Sequence, residues 1–432
     1  MENFDVVIIG GGLTGLTAAV YLSESGLKVA VIEKGGQLGG RAATKEILGS
    51  LYNLGPHAFY KKGMAIQILK EIGIKIEAGT PSLNGSIFYE NHQYVLPSTF
   101  LNILRTRLLT FQEKKEFIQL MLKIGKLDAS KYSHQTLAQW VESIIISTTN
   151  QQLFYTFCRL ASYMNAPELV DAGVILHQLN LSLGGALYVN KGWQSIIDKL
   201  EQKGTKYGVT FLKNCIVKEV DVSNETKQVL LLSRGEMQQL QSKWIISTVP
   251  PKEVLSMVKG MKNSKLSQCL NNCIPVKASC LDVTLNQLTA ENQHFSLDMN
   301  QSLYYSNHSQ SSILSDHPSY QIFHIMKYLR PNEIVRPEEG YKELASFLEN
   351  NQPSWKEHVV SKRYIPNLVV SYRYPTVGFK DIMEMALHEF PGFILAGEWV
   401  SNQLLLAEAA LQTAKKAADT IIGTKELIRV VG

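Results

Sequence analysis

Six residues near the start of the chain limit its fold more than any others: Gly10-Gly11-Gly12-Leu13-Thr14-Gly15, directly after an apolar run at residues 5–9 (DVVII). An amphipathic stretch at residues 16–25 and a second apolar run at 28–32, closed by Glu33, complete a strand–helix–strand unit. Glycines cluster in any tight turn, so the G-x-G-x-x-G spacing takes its meaning from this context. Gly10 permits the sharp turn from strand to helix, and Gly12 lets the backbone approach a pyrophosphate. Gly15 lets the helix pack closely on the strands. A helix N-terminus offers phosphate unpaired N–H groups and the positive end of a dipole. Glu33 ends the second strand, where a carboxylate can accept both ribose hydroxyls of an adenosine. Its charge would repel a 2′-phosphate, which argues against NADP. The motif therefore predicts a dinucleotide site.

NAD and FAD share that fingerprint, so the choice between them rests on residues farther along the chain. After Glu33 it reads Lys34-Gly35-Gly36-Gln37-Leu38-Gly39-Gly40-Arg41-Ala42. Gly-Gly-Arg at this distance lets the backbone run along a pyrophosphate, and the planar fork of Arg41 suits phosphate or flavin-side oxygens. Taken alone, the same stretch also fits a flexible loop with a surface Arg. Near the C-terminus, residues 392–399 (GFILAGEW) form an apolar strand ending in Gly397-Glu398, and a helix is expected over 405–422. Glu398 can accept a ribityl hydroxyl, or simply serve as an N-terminal helix charge.

Together these segments resemble the flavin-dependent amine oxidase superfamily, which includes the phytoene desaturases and protoporphyrinogen oxidases. The resemblance runs through nearly the whole chain. Gly184-Gly185 to Tyr188, Gly192-Trp193 and Ile196-Ile197 look like the family's return into the cofactor domain. Residues 209–220 look like its strand pair whose backbone reaches adenine, with Val217 at the contact. Residues 244–251 (WIISTVPP) look like the family's strand-then-Pro segment. Ala409 and Ala414 stand where the family usually has glycine, and Lys191 takes the first place of a usual Gly-Gly. Alanine is the smallest replacement and keeps helix propensity high, so close packing should survive. The resemblance implies FAD as cofactor, with Gly10, Gly12, Thr14, Gly15, Glu33, Lys34, Gly40, Arg41, Val217, Gly397 and Glu398 as its binding residues.

The implied fold is α/β. A Rossmann-type FAD-binding domain is expected to be discontinuous, over residues 1–80, 186–258 and 365–432. A second α+β substrate domain of mixed sheet plus helices would take 81–185 and 259–364. Residues 96–179 read as mostly helical, with Leu101, Leu104 and Leu108, then Phe117, Met121 and Ile124, at helical spacing. Residues 276–285 and 320–328 read as strands. A chain of 432 residues can bury large cores. Its net charge of +5 is mild, and no run interleaves Arg with aromatics, which argues against nucleic acid. The cysteines (Cys158, Cys215, Cys269, Cys273, Cys280) are odd in number and contain no Cys-x-x-Cys. They suggest reduced thiols, neither a disulfide framework nor a metal site. Without a secretory signal or a long apolar run, the expected location is cytoplasmic. The basic stretch 100–127 carries Arg105, Arg107, Lys114, Lys115, Lys123 and Lys126. Such a stretch can lie against a membrane, but a core-facing helix with a solvated basic side is the favoured expectation.

In a flavoprotein the cofactor performs the hydride chemistry and the protein supplies position, polarity and dryness. The sequence offers no strong acid–base constellation. His57, in Leu54-Gly55-Pro56-His57, is the first catalytic candidate, because the resemblance puts this segment beside the flavin ring and an imidazole titrates near neutrality. A backbone-bracing role in a tight turn competes with it. Tyr374 is the second candidate, as one half of the aromatic pair that flanks the amine in amine oxidases. After Glu398 the chain offers no second aromatic except Trp399, so a simple amine is disfavoured. His324 and Lys327 fall on opposite faces of one strand, and only one face can line a cavity. The expected function is FAD-dependent hydride removal from a largely apolar (isoprenoid- or porphyrinogen-like) or amine substrate, with oxygen or a quinone as electron acceptor. The alternatives are a flavin-dependent isomerase and a non-catalytic prenyl-binding chaperone. Intact Glu33, Arg41 and Glu398 speak against the latter.

Overall fold

A computed structural model describes residues 2–82 and 84–431 of the chain. Two seven-stranded sheets organise it. In the first, Thr210–Leu212, Val29–Ile32, Glu2–Ile9 and Glu236–Ser247 run parallel in that order, and Phe393–Leu395 pairs parallel with the last of them. Lys227–Ser233 and Cys215–Asp221 extend the sheet antiparallel. Parallel strands covered on both faces read as unbroken apolar runs. Val6 to Ile9 and Val29 to Ile32 are accordingly buried throughout. Helix Leu13–Glu24 packs on this sheet, and the C-terminal helix Leu406–Val431 packs beside it.

The second sheet runs Val359–Ser371, Val276–Leu285, Gln321–Tyr328, Leu303–Asn307, Phe295–Asp298, Ser86–Tyr89 and His92–Val95. All its pairs are antiparallel except Phe295–Asp298 with Ser86–Tyr89. Its strands divide their side chains by period two. Leu281, Val283, Phe323 and Ile325 pack with Leu344 and Leu348 of helix Pro337–Asn351. Ala278, Met326 and Tyr328 pack on the opposite side, with the helices between residues 111 and 183. The boundary expected at residue 365 falls inside strand Val359–Ser371, which pairs along its length with Val276–Leu285. Residues 365–371 therefore belong to the second sheet.

Two local expectations need correction. Residues 209–220 hold two strands, but they do not pair with each other: Thr210–Leu212 joins Val29–Ile32, and Cys215–Asp221 joins Lys227–Ser233. The basic stretch splits into helices Phe100–Arg105 and Phe111–Ile124. Thr110 begins the second with a capping box closed by Glu113, a strong local start signal. Phe117 and Ile124 face the core as the helical spacing requires, Met121 is only half-buried and Leu120 is buried beside them, whereas Leu101 and Leu104 face outward.

Candidate FAD-type cavity

One large cavity of ≈ 640 Å³ opens where the first sheet, the loop after Glu33 and the end of strand Val359–Ser371 converge. This lies within the 300–1,000 Å³ typical of cofactor sites. The turn after Ile9 forms one wall. Gly10 adopts φ +107°, a backbone that side-chain-bearing residues rarely take, and a Cβ there would lie 2.4 Å from Thr248 Oγ1. A Cβ on Gly15 would stand 2.0 Å from the carbonyl oxygen of Gly10, so the helix can approach the strand only with glycine here.

Among the residues singled out from the sequence, Gly10, Gly12, Thr14, Glu33, Lys34, Gly40, Arg41, Val217, Glu398 and His57 line the cavity. Gly15 and Gly397 do not. Gly15 acts in helix packing, and the Gly397 N–H donates to Thr413 Oγ1 of the last helix at 2.9 Å. The Glu33 carboxylate is held by two main-chain donors, Gly11 N–H at 2.9 Å and Gly35 N–H at 2.8 Å. Lys34 meets Glu253 at 2.8 Å in an exposed pair, a type worth little to stability.

Arg41 and Glu398 share a bidentate ion pair, Nη1 to Oε1 at 2.9 Å and Nη2 to Oε2 at 2.5 Å. Arg41 also donates to the Val370 carbonyl at 2.8 Å, and Glu398 accepts the Tyr372 N–H at 3.1 Å. Burial disfavours the guanidinium charge, but the facing carboxylate outweighs it and holds Arg41 above its ordinary range.

His57 has both ring nitrogens turned to main-chain carbonyls, Gly55 O at 3.0 Å and Arg41 O at 3.2 Å. A neutral imidazole carries one N–H, so only one of these is a full hydrogen bond. Its edge also meets Trp193, with ring centroids 4.9 Å apart. Burial lowers its pKa to about 4, so the ring is neutral at physiological pH.

Tyr374 corrects an expectation. Its ring lies in the core against the second sheet, its hydroxyl reaching toward the Leu329 carbonyl, and it does not line the cavity. Tyr372, two residues earlier, does line it, with the Arg41 guanidinium 4.8 Å from its ring centroid. Trp399 is buried in the core of the first sheet, so it supplies no second cage aromatic. Trp193, from the Gly192-Trp193 return segment, also lines the cavity, and so does Tyr163, which sequence reasoning missed. Tyr163 ends helix Thr148–Ser162 at φ +66° and donates to the Pro56 carbonyl at 2.5 Å. That left-handed aromatic cap has no local sequence signature.

Neither His324 nor Lys327 lines the cavity. Lys327 points to the helix-covered face and pairs with Glu343 at 3.0 Å. His324 is fully buried, with Nδ1 2.5 Å from Asp282 Oδ1, while Arg363 holds Asp282 Oδ2 through Nε at 2.9 Å. Burial opposes ionisation of Asp282, but these partners keep its pKa below the ordinary value. Cys280 joins them in a cluster of metal-ligand type. Because Arg363 and His324 already occupy both carboxylate oxygens, the arrangement fits an ion-pair network better than a cation site.

The sequence profile of the family described as flavin containing amine oxidoreductase matches residues 13–268. Carotenoid 3,4-desaturase of Haloarcula japonica is 48% identical over 56 residues, covering 13% of this chain and 11% of the relative. 1-Hydroxycarotenoid 3,4-desaturase of a Flavobacterium species is 24% identical over 261 residues, covering 53% and 54%. The matches thus span from about a tenth to about half of these relatives' lengths. Wild-type putrescine oxidase bound to putrescine superimposes with a TM-score of 0.74 at 14% identity, over 98% of this chain and 99% of the other. That likeness is one of fold.

Proposed function

The chain belongs to the flavin containing amine oxidoreductase family, with FAD as its cofactor, and we propose that it is an FAD-dependent oxidoreductase removing hydride from a largely apolar, isoprenoid- or porphyrinogen-like substrate. One observation carries the reading: residues from both ends and the middle of the sequence, Glu33, Val217 and Glu398, line a single cavity. The lining fits FAD. A Cβ added to Gly12 or Gly40 would meet no atom nearer than 3.7 Å, so both leave room for a ligand to pass close to the backbone. In this reading Gly10, Gly12 and Thr14, at the start of helix Leu13–Glu24, receive the pyrophosphate. Glu33 accepts the adenosine ribose hydroxyls and Val217 borders the adenine. Gly40, Arg41 and Glu398 hold the flavin half. The first sheet belongs to the FAD-binding unit, and strand Val359–Ser371 goes wholly to the substrate unit.

When bound, FAD supplies a two-electron acceptor for hydride. The protein's residues orient and dry the site. The Arg41–Glu398 pair fixes the main chain at Val370 and Tyr372. His57, neutral and bracketed by carbonyls, serves as a positioning residue that shapes the wall. The apolar substrate class rests on the apolar part of the lining, where Leu54, Pro56, Ala58, Leu368, Val369 and Leu406 face the cavity.

Anaerobic titration of the flavin-loaded protein tests the substrate class. Bleaching by a polyene or porphyrinogen, with little by simple amines, is expected. Bleaching by amines alone would overturn the apolar reading.

A further inference from the structure

Arg363, Asp282 and His324 stand at one level of the second sheet, on strands Val359–Ser371, Val276–Leu285 and Gln321–Tyr328, with Asp282 paired to both neighbours. Asp282 and His324 are fully buried, and only 14% of the Arg363 side chain is exposed. Taking such charges out of water is costly, and apolar residues of similar volume often hold a core at least as well. Stability alone therefore does not account for the row.

The row reaches the cavity wall through one residue. Arg363 donates to Asp282 Oδ2 through Nε at 2.9 Å and Nη2 at 2.5 Å, and Nη2 also donates to the main-chain carbonyl of Asn53. The same carbonyl accepts the Gly55 N–H at 2.8 Å. The buried Asn53 side chain uses Oδ1 to accept the Trp193 main-chain N–H at 3.0 Å and the Thr44 hydroxyl at 2.7 Å. Leu54, Pro56, His57, Ala58 and Trp193 all line the cavity, so Arg363 holds both pieces of wall that meet at Asn53. The segment lies directly on the sheet: a Cβ on Gly55 would come 3.0 Å from Leu368 Cδ2 and 3.6 Å from Cys280 Sγ. His57 Nε2 stands 3.2 Å from the Arg41 carbonyl, and this wall thus borders the residue that holds the flavin half in the proposed function.

We propose that Arg363, aimed by Asp282 and His324, is a positioning residue: it sets the Asn53 main chain and thereby the wall that meets the flavin half of the cofactor. His324 Nδ1 lies 2.5 Å from Asp282 Oδ1, which keeps the carboxylate from turning away from Arg363. A planar guanidinium serves a carboxylate and a carbonyl together in a fixed fork, whereas a lysine ammonium is a point charge on a flexible stem. The inference rests on the proposed FAD site and adds that a charged row in the second sheet sets the geometry of that site.

The test compares Asp282→Asn and Arg363→Lys with a control, Leu344→Ala, which opens a cavity on the helix-covered face of the same sheet. Full-length apoprotein is titrated with FAD at a temperature where every variant is folded, and the visible circular dichroism and midpoint potential of the bound flavin are recorded. Asp282→Asn and Arg363→Lys should each weaken FAD by about tenfold, the scale of losing a hydrogen bond to a charged group, and should alter the dichroism and the potential. Leu344→Ala should melt lower and yet match the wild type in all three readouts. Should Asp282→Asn fail to fold, Arg363→Lys decides alone. Wild-type affinity and dichroism in Arg363→Lys would overturn the proposal. So would a Leu344→Ala flavin altered as much as that of Arg363→Lys. A wild-type protein that takes up no FAD would overturn the cofactor reading as well, which separates the two failures.

Discussion

Arg41 and Glu398 lie 357 residues apart and yet meet in two hydrogen bonds, so the loop after Glu33 and the C-terminal strand end are fixed against each other by one ion pair. Glu33 is oriented just as firmly, by the Gly11 and Gly35 N–H groups. Replacing Glu33 with Ala removes an acceptor for two hydroxyls and should weaken FAD by roughly 1.5–3 kcal/mol, the usual size for hydrogen bonds to a charge. Equilibrium titration of the apoprotein with FAD measures this, and full retained affinity would show that the ribose site lies elsewhere. The histidines give a pH prediction. Burial lowers His57 to about 4 and His308 well below its ordinary value. The unfolded chain takes up these protons first, near pH 6.5, so stability should be lost as pH falls from about 6.5 toward 4. Thermal melts across that window check it, and a His57→Gln variant should show a shallower decline. Equal slopes would remove His57 from the acid sensitivity.

At the level of elements, the glycine-rich turn was legible because its constraint is local: three glycines, an apolar run and a terminal carboxylate suffice. Gly15→Val tests the packing half of that constraint. Its Cβ would collide with the Gly10 carbonyl oxygen, so the variant should lose FAD and several degrees of melting temperature while Gly12→Ala keeps the melting temperature. Tyr374 was misplaced because it lies past the end of strand Val359–Ser371, where no period-two pattern places a side chain. Tyr372 reaches the cavity instead. The break in the basic stretch was also written locally, in Thr110 and Glu113, but the helical spacing of the leucines masked it. The row Arg363–Asp282–His324 was invisible from sequence because it joins three strands at one level of the second sheet. Asp282→Asn leaves Arg363 without its buried counter-charge and should cost about 3–5 kcal/mol in denaturant unfolding. A loss under about 1 kcal/mol, the size of an exposed pair, would mean that Arg363 finds another partner.

Across the whole molecule, the first sheet collects strands from residues 2–32, 210–247 and 393–395, and their convergence builds the cavity. The three motifs made that convergence readable, since each names a part of the same cofactor. The substrate side carries no comparable motif. Its recognition depends on which side chains a twisted, mixed sheet and its helices bring together, and a single residue such as Tyr163 gives no periodic signal. Among the described residues, no helix is long and apolar enough to cross a membrane. The most direct test of a redox FAD in this cavity is the absorbance spectrum of the purified protein before and after anaerobic photoreduction, beside that of Glu33→Ala. One flavin per chain that bleaches on illumination and returns with an acceptor, with occupancy reduced in the variant, is expected. A protein that takes up no FAD, or one whose flavin cannot be reduced, would contradict it.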